Sequence, residues 1–470
     1  MTLSRIRAVQ QLRIRDIPKH RASFANPWMG FLHYGFAAVD VVKRCSNGAQ
    51  GGGDPGSVST FVRLLGRTGV LDSKPNYNAT HRLCEEMSEA YSLAAFFAIT
   101  KTKGLRELEE KLKGNDWRTI VDNVFAEYYP LPKVGMMRAR ALQKATEKYE
   151  QEEQAIRAIA NANRTTQQQE FLKSKDRKIA AAADKERDLS YENALLFMQH
   201  SMVYQDFYTA LRGGDSGRLE KSLEIFTILF EGVGKSHYAR ELLEQQVERK
   251  AVWTPYMHAL WKRNCLLNLA GSPQKFLGVD EVCEFLVRQL KSSYNPKNTW
   301  QSKEFHMETL SRLTMVFRDI RRTVASSSGA PSYGTRHSRL EKSHNINLML
   351  THICDNELLF FHEGRNRISK MHNARRTVEG IDAWTIGQLA HGTGGPLATL
   401  LRKRIEMRIT SKLYPIPPDI EEFPLDDFYD TADGESSTSS DSWSEGDSFE
   451  LDGGSAGEEE EEEEEGEEED

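Results

Sequence analysis

The sequence predicts a mainly α-helical protein: bundles of short helices, a long polar helix or linker in the middle, and a disordered acidic tail. Three observations lead there. Apolar residues recur at helical spacing through 190–325, with no long β-alternation. Residues 136–189 are dominated by Glu, Lys, Arg, Gln and Ala, which favour helix but supply no sustained apolar stripe. From Asp419 to Asp470 the chain holds 25 acidic residues and no lysine or arginine. Such a segment cannot bury enough apolar surface to offset chain entropy. Four segments follow: 1–135, 136–189, a helical globular part at 190–410, and a tail at 411–470.

Residues 1–135 are mixed, and a remnant of an α/β domain is one reading of them. Met1–Arg15 places Ile6, Val9 and Leu12 at roughly helical spacing. Trp28–Val42 is aromatic and apolar, with His33 inside it. SNGAQGGGDPGS (46–57) reads as a flexible glycine-rich loop. Helical patterns return through Phe61–Leu71 and Leu83–Thr100. The polar 136–189 segment is then a long helix, a weak coiled coil or a disordered insert that divides the folded part in two.

The clearest helical faces lie beyond it. Tyr191, Leu195, Met198 and Met202 share one face, as do Leu219, Leu223, Phe226 and Phe230. Ser236 is a candidate cap for a helix through Ala239, Leu243 and Val247. Trp253, Met257, Leu260 and Trp261 continue the pattern. Asp280 is a candidate cap for the helix carrying Val282, Phe285, Leu286 and Leu290. Residues 325–334 form a loop, and helical spacing resumes over 340–410, ending in the basic run LRKRIEMR (401–408).

Charge is divided unevenly. The overall charge is −7, but the first 418 residues hold 62 basic and 44 acidic side chains, a net of +18. A basic body attracts polyanions, and a tethered acidic tail competes with them. The five cysteines are scattered, odd in number and without a CxxC pair, which fits a reducing intracellular setting. The basic N-terminus lacks the apolar stretch of a signal peptide, and no run approaches the ~20 apolar residues of a membrane span. A soluble protein of the nucleus or cytoplasm is expected, with no membrane association.

Candidate chemistry is sparse. Gly234-Lys235-Ser236 resembles the end of a phosphate-binding loop, but Leu229 stands where that loop needs glycine, so a helix–turn–helix corner is the simpler reading. In RGGDSGRLE (212–220), Asp215 could ligate a divalent metal or cap a helix, and capping is the simpler reading. Glu241, Glu244 and Glu248 fall on one helical face. They could join Asp215 in holding Mg²⁺, though a solvated charged face is the ordinary outcome for such spacing. His352, Cys354, His362 and His372 are too dispersed for a zinc site. His33 alone reads as a packed core histidine. For nucleic acid, Arg402, Lys403 and Arg404, with Arg321 and Arg322, are the strongest local patches. No RNA-stacking motif accompanies them.

Several segments together resemble a largely fungal family, domain of unknown function 6589. They are LSRIRAVQQLR (3–13), the GFLHYGF element around His33, the run from Tyr191 to Gln246, WKRNCLLNLAG (261–271) and EFLVRQLK ending at Lys291. The motif positions are Asp215, Gly217, Arg218, Tyr238, Glu241, Asn268, Gly271 and Lys291. The resemblance implies little chemistry. It suggests descent from a mobile element, and a chain beginning after a Gly-Asp element of complete members. If that aspartate were a metal ligand of an RNase H-like nuclease, two-metal phosphoryl transfer would lack a carboxylate here.

A non-catalytic protein with nucleic-acid affinity in its basic body is therefore expected, with no cofactor unless a Mg²⁺-dependent nuclease survives on Asp215, Glu241 or His33. The competing reading is a histone-binding or chaperone-like module that takes basic proteins through its tail.

Overall fold

A computed structural model of the protein describes residues 30–48, 54–71, 77–114, 117–159, 165–249, 253–292, 342–365 and 378–392, with isolated helical positions from 313 to 327 and at 399 and 402. Two compact units are distinguished: residues 1–296 with 341–435, and 297–340 with 436–470. Apart from the positions between 313 and 327, every described residue belongs to the first unit.

Among the described residues are fourteen α-helices, one 3-10 turn (Thr68–Leu71) and one short β-ribbon. The first five helices are α1 (Phe31–Ser46), α2 (Val58–Leu64), α3 (Tyr77–Thr100), α4 (Leu105–Gly114) and α5 (Trp117–Tyr128). The polar middle forms α6 (Lys133–Arg157) and α7 (Thr166–Lys185). Then come α8 (Leu189–Gly213), α9 (Ser216–Gly232), α10 (Ser236–Val247) and α11 (Pro255–Asn264). Strands β1 (Leu266–Leu267) and β2 (Leu277–Gly278) pair antiparallel, Leu266 facing Gly278. The order closes with α12 (Val279–Ser292), α13 (Lys342–Asp355) and α14 (Ala383–His391). The mainly helical expectation holds. The α/β remnant does not appear among the described residues of 30–128, which are helical, and Met1–Arg15 lies outside the described residues.

Helices α8 and α9 form the centre. On α9 the face read from periodicity is buried, Leu219, Leu223, Phe226 and Phe230 being at most 1% exposed; on α8, Tyr191, Leu195 and Met198 are buried and Met202 partly so. Phe226 stacks on Phe230 with centroids 5.3 Å apart, and Phe207 meets Phe226 edge-on at 5.5 Å. Offset and edge-on ring pairs add to burial because edge and face carry opposite partial charge. Helix α1 packs on α8, and α3 packs on α8 and α13. The folded parts on either side of the polar segment thus share one core, running from Phe31 to Ala383.

Helix α14 crosses α9 closely because two glycines permit it. A Cβ on Gly232 would lie 1.9 Å from the carbonyl oxygen of Ala383, and one on Gly387 would lie 2.0 Å from that of Ile228. The strap before α14 is sewn to α8. Asn193 accepts from Gly380 N–H at 2.8 Å and donates to the Val378 carbonyl at 2.8 Å.

The polar segment is an antiparallel hairpin. Lys144 pairs with Glu186 near the bundle, and Lys175 with Glu153 farther out. Its narrow seam joins Ala145, Ile179 and Ala183, with Tyr149 and Ala182 partly buried beside them. Thr165 opens α7 with a reciprocal capping box: its hydroxyl accepts from Gln168 N–H, and the Gln168 side chain accepts from Thr165 N–H.

Candidate functional site

Among the described residues the sequence-derived positions do not converge, and several of them serve a local structural purpose. In the α8–α9 turn, Gly214 has φ +78°, and a Cβ there would also lie 2.8 Å from the Phe276 ring. That left-handed residue ends α8, and Asp215 begins α9, its Oδ1 accepting from Arg218 N–H at 2.9 Å. Arg218 pairs in turn with Asp206, whose other oxygen accepts from the Ser222 hydroxyl at 3.0 Å. Asp215 is exposed and Gly217 follows it in the first helical turn. This corner is a double helix cap.

Glu241 lies elsewhere, on α10. It is 2% exposed, as are Glu244 and Glu248, while Gln245 is at 1%. The solvated face expected for these glutamates is therefore overturned. Helix α10 also buries Ala239, Leu242, Leu243 and Val247, so it is covered nearly all round. Each of the three glutamates makes a hydrogen-bonding or electrostatic interaction. The Tyr34 hydroxyl is driven well above its ordinary range, by burial first and by the Glu241 charge second. At the end of the helix, the buried Arg249 reaches Glu220 at 2.5 Å, and His258 and Lys262 approach the same carboxylate at 3.1 and 3.4 Å. Burial works against the Glu220 charge, yet Arg249, His258 and Lys262 together hold its pKa below the ordinary range.

Other readings change as well. His33 is exposed beside Phe36, not packed in the core. Ser236 is the first residue inside α10, and the position before it is Lys235, which makes no side-chain cap. Lys235 pairs with Asp40 at 2.7 Å, and Gly234 takes φ +77°, which gives the helix–turn–helix corner in place of a phosphate loop. Asp280 caps a helix, but a distant one: its Oδ2 accepts from Leu32 N–H at 2.8 Å, at the start of α1. Gly30 must be glycine-sized there, since a Cβ would lie 1.9 Å from the Asp280 carboxyl carbon. Met257 and Leu260 are 39% and 37% exposed, so α11 contributes no fully buried residue.

The glycine-rich 46–57 segment is buried at its end, with Asp54 and Ser57 both 0% exposed. Ser57 caps α2 through Thr60 N–H. His352 Nε2 faces the Pro55 carbonyl at 2.9 Å and its ring meets Phe61, Cys354 is exposed, and His362 pairs with Glu357 at 2.8 Å. His372 lies outside the described residues. Tyr238 packs its ring on Phe230 and Tyr34. Asn268 Nδ2 donates to the Ser272 carbonyl at 3.0 Å across the β-ribbon turn, where Gly271 takes φ +66°. Arg402 is an exposed helical position, while Lys403, Arg404, Arg321, Arg322 and the Lys291 side chain lie outside the described residues.

One polar cluster was not singled out from the sequence. Glu192, fully buried, receives Arg138 Nε at 2.9 Å and Arg187 at 2.6 Å, and Arg187 continues to Glu379 at 2.9 Å. Beside it, the buried Asp188 accepts from Tyr191 N–H, His362 N–H and Arg365 at 2.8–3.1 Å. Each of these charges has a partner, so the cluster locks α6, α8 and the strap together. A hint was present in the sequence, where Asp188, Glu192 and Asn193 interrupt the apolar start of α8. Their partners 365, 379 and 380 were too distant to assign.

A family model described as "Family of unknown function (DUF6589)" matches residues 1–337. The chain belongs to this family. Among curated proteins and solved structures no match is found. In this DUF6589 protein α13 and α14 follow the matched stretch, yet Met349, Ile353 and Ala383 belong to the same core. Among the described residues no helix is long and apolar enough to cross a membrane.

Proposed function

We propose that this DUF6589 protein is a non-catalytic binding protein, a remnant of a mobile element, whose basic body takes nucleic acid while its acidic tail competes for the same cations. The charge partition carries this reading: net +18 over the first 418 residues against 25 acidic and no basic side chains in the remainder. Such a body attracts a phosphate backbone without a dedicated motif. The use of the candidate carboxylates supports the absence of catalysis. Asp215 is occupied as a helix cap and Glu241 is buried on a different helix, its charge acting on Tyr34.

The test is duplex-DNA binding by residues 1–418 and by the full chain across a salt series. Steeply salt-dependent binding, tighter without the tail, is expected. Equal absence of binding in both forms would overturn the reading. The glutamate run favours a second one, in which the tail itself binds basic proteins such as histones. In that case deleting the tail abolishes histone capture and leaves DNA binding unaffected.

A further inference from the structure

The α6–α7 hairpin segregates its charge along its length. The half beside the bundle, residues 133–148 and 173–187, carries eleven basic and four acidic side chains, net +7. The distal half, 149–172, carries two basic and four acidic, net −2. Most of the proximal acids are already engaged. Lys144 holds Glu186, Arg187 lies 3.7 Å from Asp184, and Gln143 donates to Glu147 at 2.8 Å. By contrast Arg140, Lys148, Lys178 and Lys185 are exposed and make no ion pair among the described residues.

These cations share a face. Lys144 and Lys148 stand one turn apart on the flank of α6, about 6 Å along the axis. Lys178 and Lys185 stand two turns apart on α7. The antiparallel register fixed by the Lys144–Glu186 and Lys175–Glu153 pairs turns the two flanks to the same side. The Lys178 ammonium lies over the Phe171 ring, Nζ 4.5 Å from its centroid, while the side chain remains exposed. The hairpin's two aromatic rings, Tyr149 and Phe171, lie against each other with centroids 6.0 Å apart, Phe171 buried and Tyr149 partly so. The face therefore offers compact point charges and no stacking platform, a combination suited to phosphates and not to bases.

We propose that this lysine face is where the basic body grips the phosphate backbone of nucleic acid, independently of sequence. The inference rests on the nucleic-acid reading above and names its site. The test uses the full chain and a 20-base-pair duplex of random sequence at several salt concentrations. The triple variant Lys148→Gln, Lys178→Gln, Lys185→Gln is compared with a control of equal charge loss on the bundle, Arg82→Gln, Lys103→Gln, Arg106→Gln.

Expected for the hairpin variant is a log K against log salt slope shallower by about 2–3, since each lost phosphate contact removes about 0.9. The control slope should move by less than about 1. Equal slope changes in the two variants, or none in the hairpin variant while wild type binds, would overturn the location and leave nucleic-acid binding standing. No binding by wild type at any salt would remove the underlying reading itself. Displacement of duplex by a 25-residue polyglutamate at lower concentration than by unlabelled duplex would assign the face to an acidic polypeptide and overturn the proposal.

Discussion

Helices α8 and α6 are each 25 residues long, and they are held in opposite ways. In α8 eighteen residues are buried, and its flanks meet α1, α3 and α9. In α6 only Val134, Ala141, Ala145 and Ile156 are buried, and its principal partner is α7. Tertiary packing decides most helical stability in water. The comparison therefore teaches that the bundle determines the fold, while the hairpin is a lightly anchored carrier of surface charge. A helix with four buried residues is free to spend its remaining positions on lysine and arginine.

The largest effect that would sharpen this contrast is a core truncation. Phe230→Ala removes a fully buried ring stacked between Phe226 and Tyr34 and should cost about 3–5 kcal/mol in urea unfolding. Ile179→Ala in the hairpin seam should cost no more than about 2 kcal/mol, because the shallow site can close over the loss. Similar costs at both positions would erase the distinction. Next in size is Gly387→Ala, which forces a Cβ to within 2.0 Å of the Ile228 carbonyl and must push α14 off α9. A loss of about 2–3 kcal/mol is expected, against almost nothing for an added side-chain carbon at the exposed Ala180.

The smallest effects concern two buried titrating groups at the edge of α8. Burial raises the Asp54 pKa to about 6 despite the Asn193 hydrogen bond, and burial lowers the His200 pKa to about 4. The folded state thus holds the Asp54 proton that the unfolded chain releases, so this group's contribution falls as pH rises from about 4 to 6. His200 acts in the opposite sense. The unfolded chain binds its proton below about 6.5, so stability rises with pH between about 4 and 6.5. The two slopes largely offset each other. Asp54→Asn should stabilise by about 1–2 kcal/mol at pH 7.5 and expose the His200 rise, whereas His200→Gln should expose the Asp54 fall. Parallel pH profiles in both variants would contradict these assignments.

Much of the bundle was legible in the sequence because large apolar residues mark a helical face at short range. Leu219, Leu223, Phe226 and Phe230 needed no knowledge of what they touch. The hairpin seam was illegible for the complementary reason. Ala145 and Ala183 are too small to register as an apolar stripe, yet they let two helices approach. Candidate site residues failed differently. Glu241, Glu244 and Glu248 were read as solvated because a sequence shows spacing but not the elements that close over a helix. Asp280 does not cap the helix that its position suggests: it lies inside α12 and accepts from Leu32 N–H, 248 positions away. The Glu192 and Asp188 clusters depend on His362, Arg365, Glu379 and Gly380, beyond the span of any local pattern.

Native-state hydrogen exchange on the full chain tests the central contrast most directly. Amides of α8 and α9 should exchange only through global unfolding, while those of α6 and α7 exchange through local opening at markedly lower free energy. Equal protection across α6, α7, α8 and α9 would show that the hairpin unfolds with the core and would contradict the division between a fold-determining bundle and a charge-bearing hairpin.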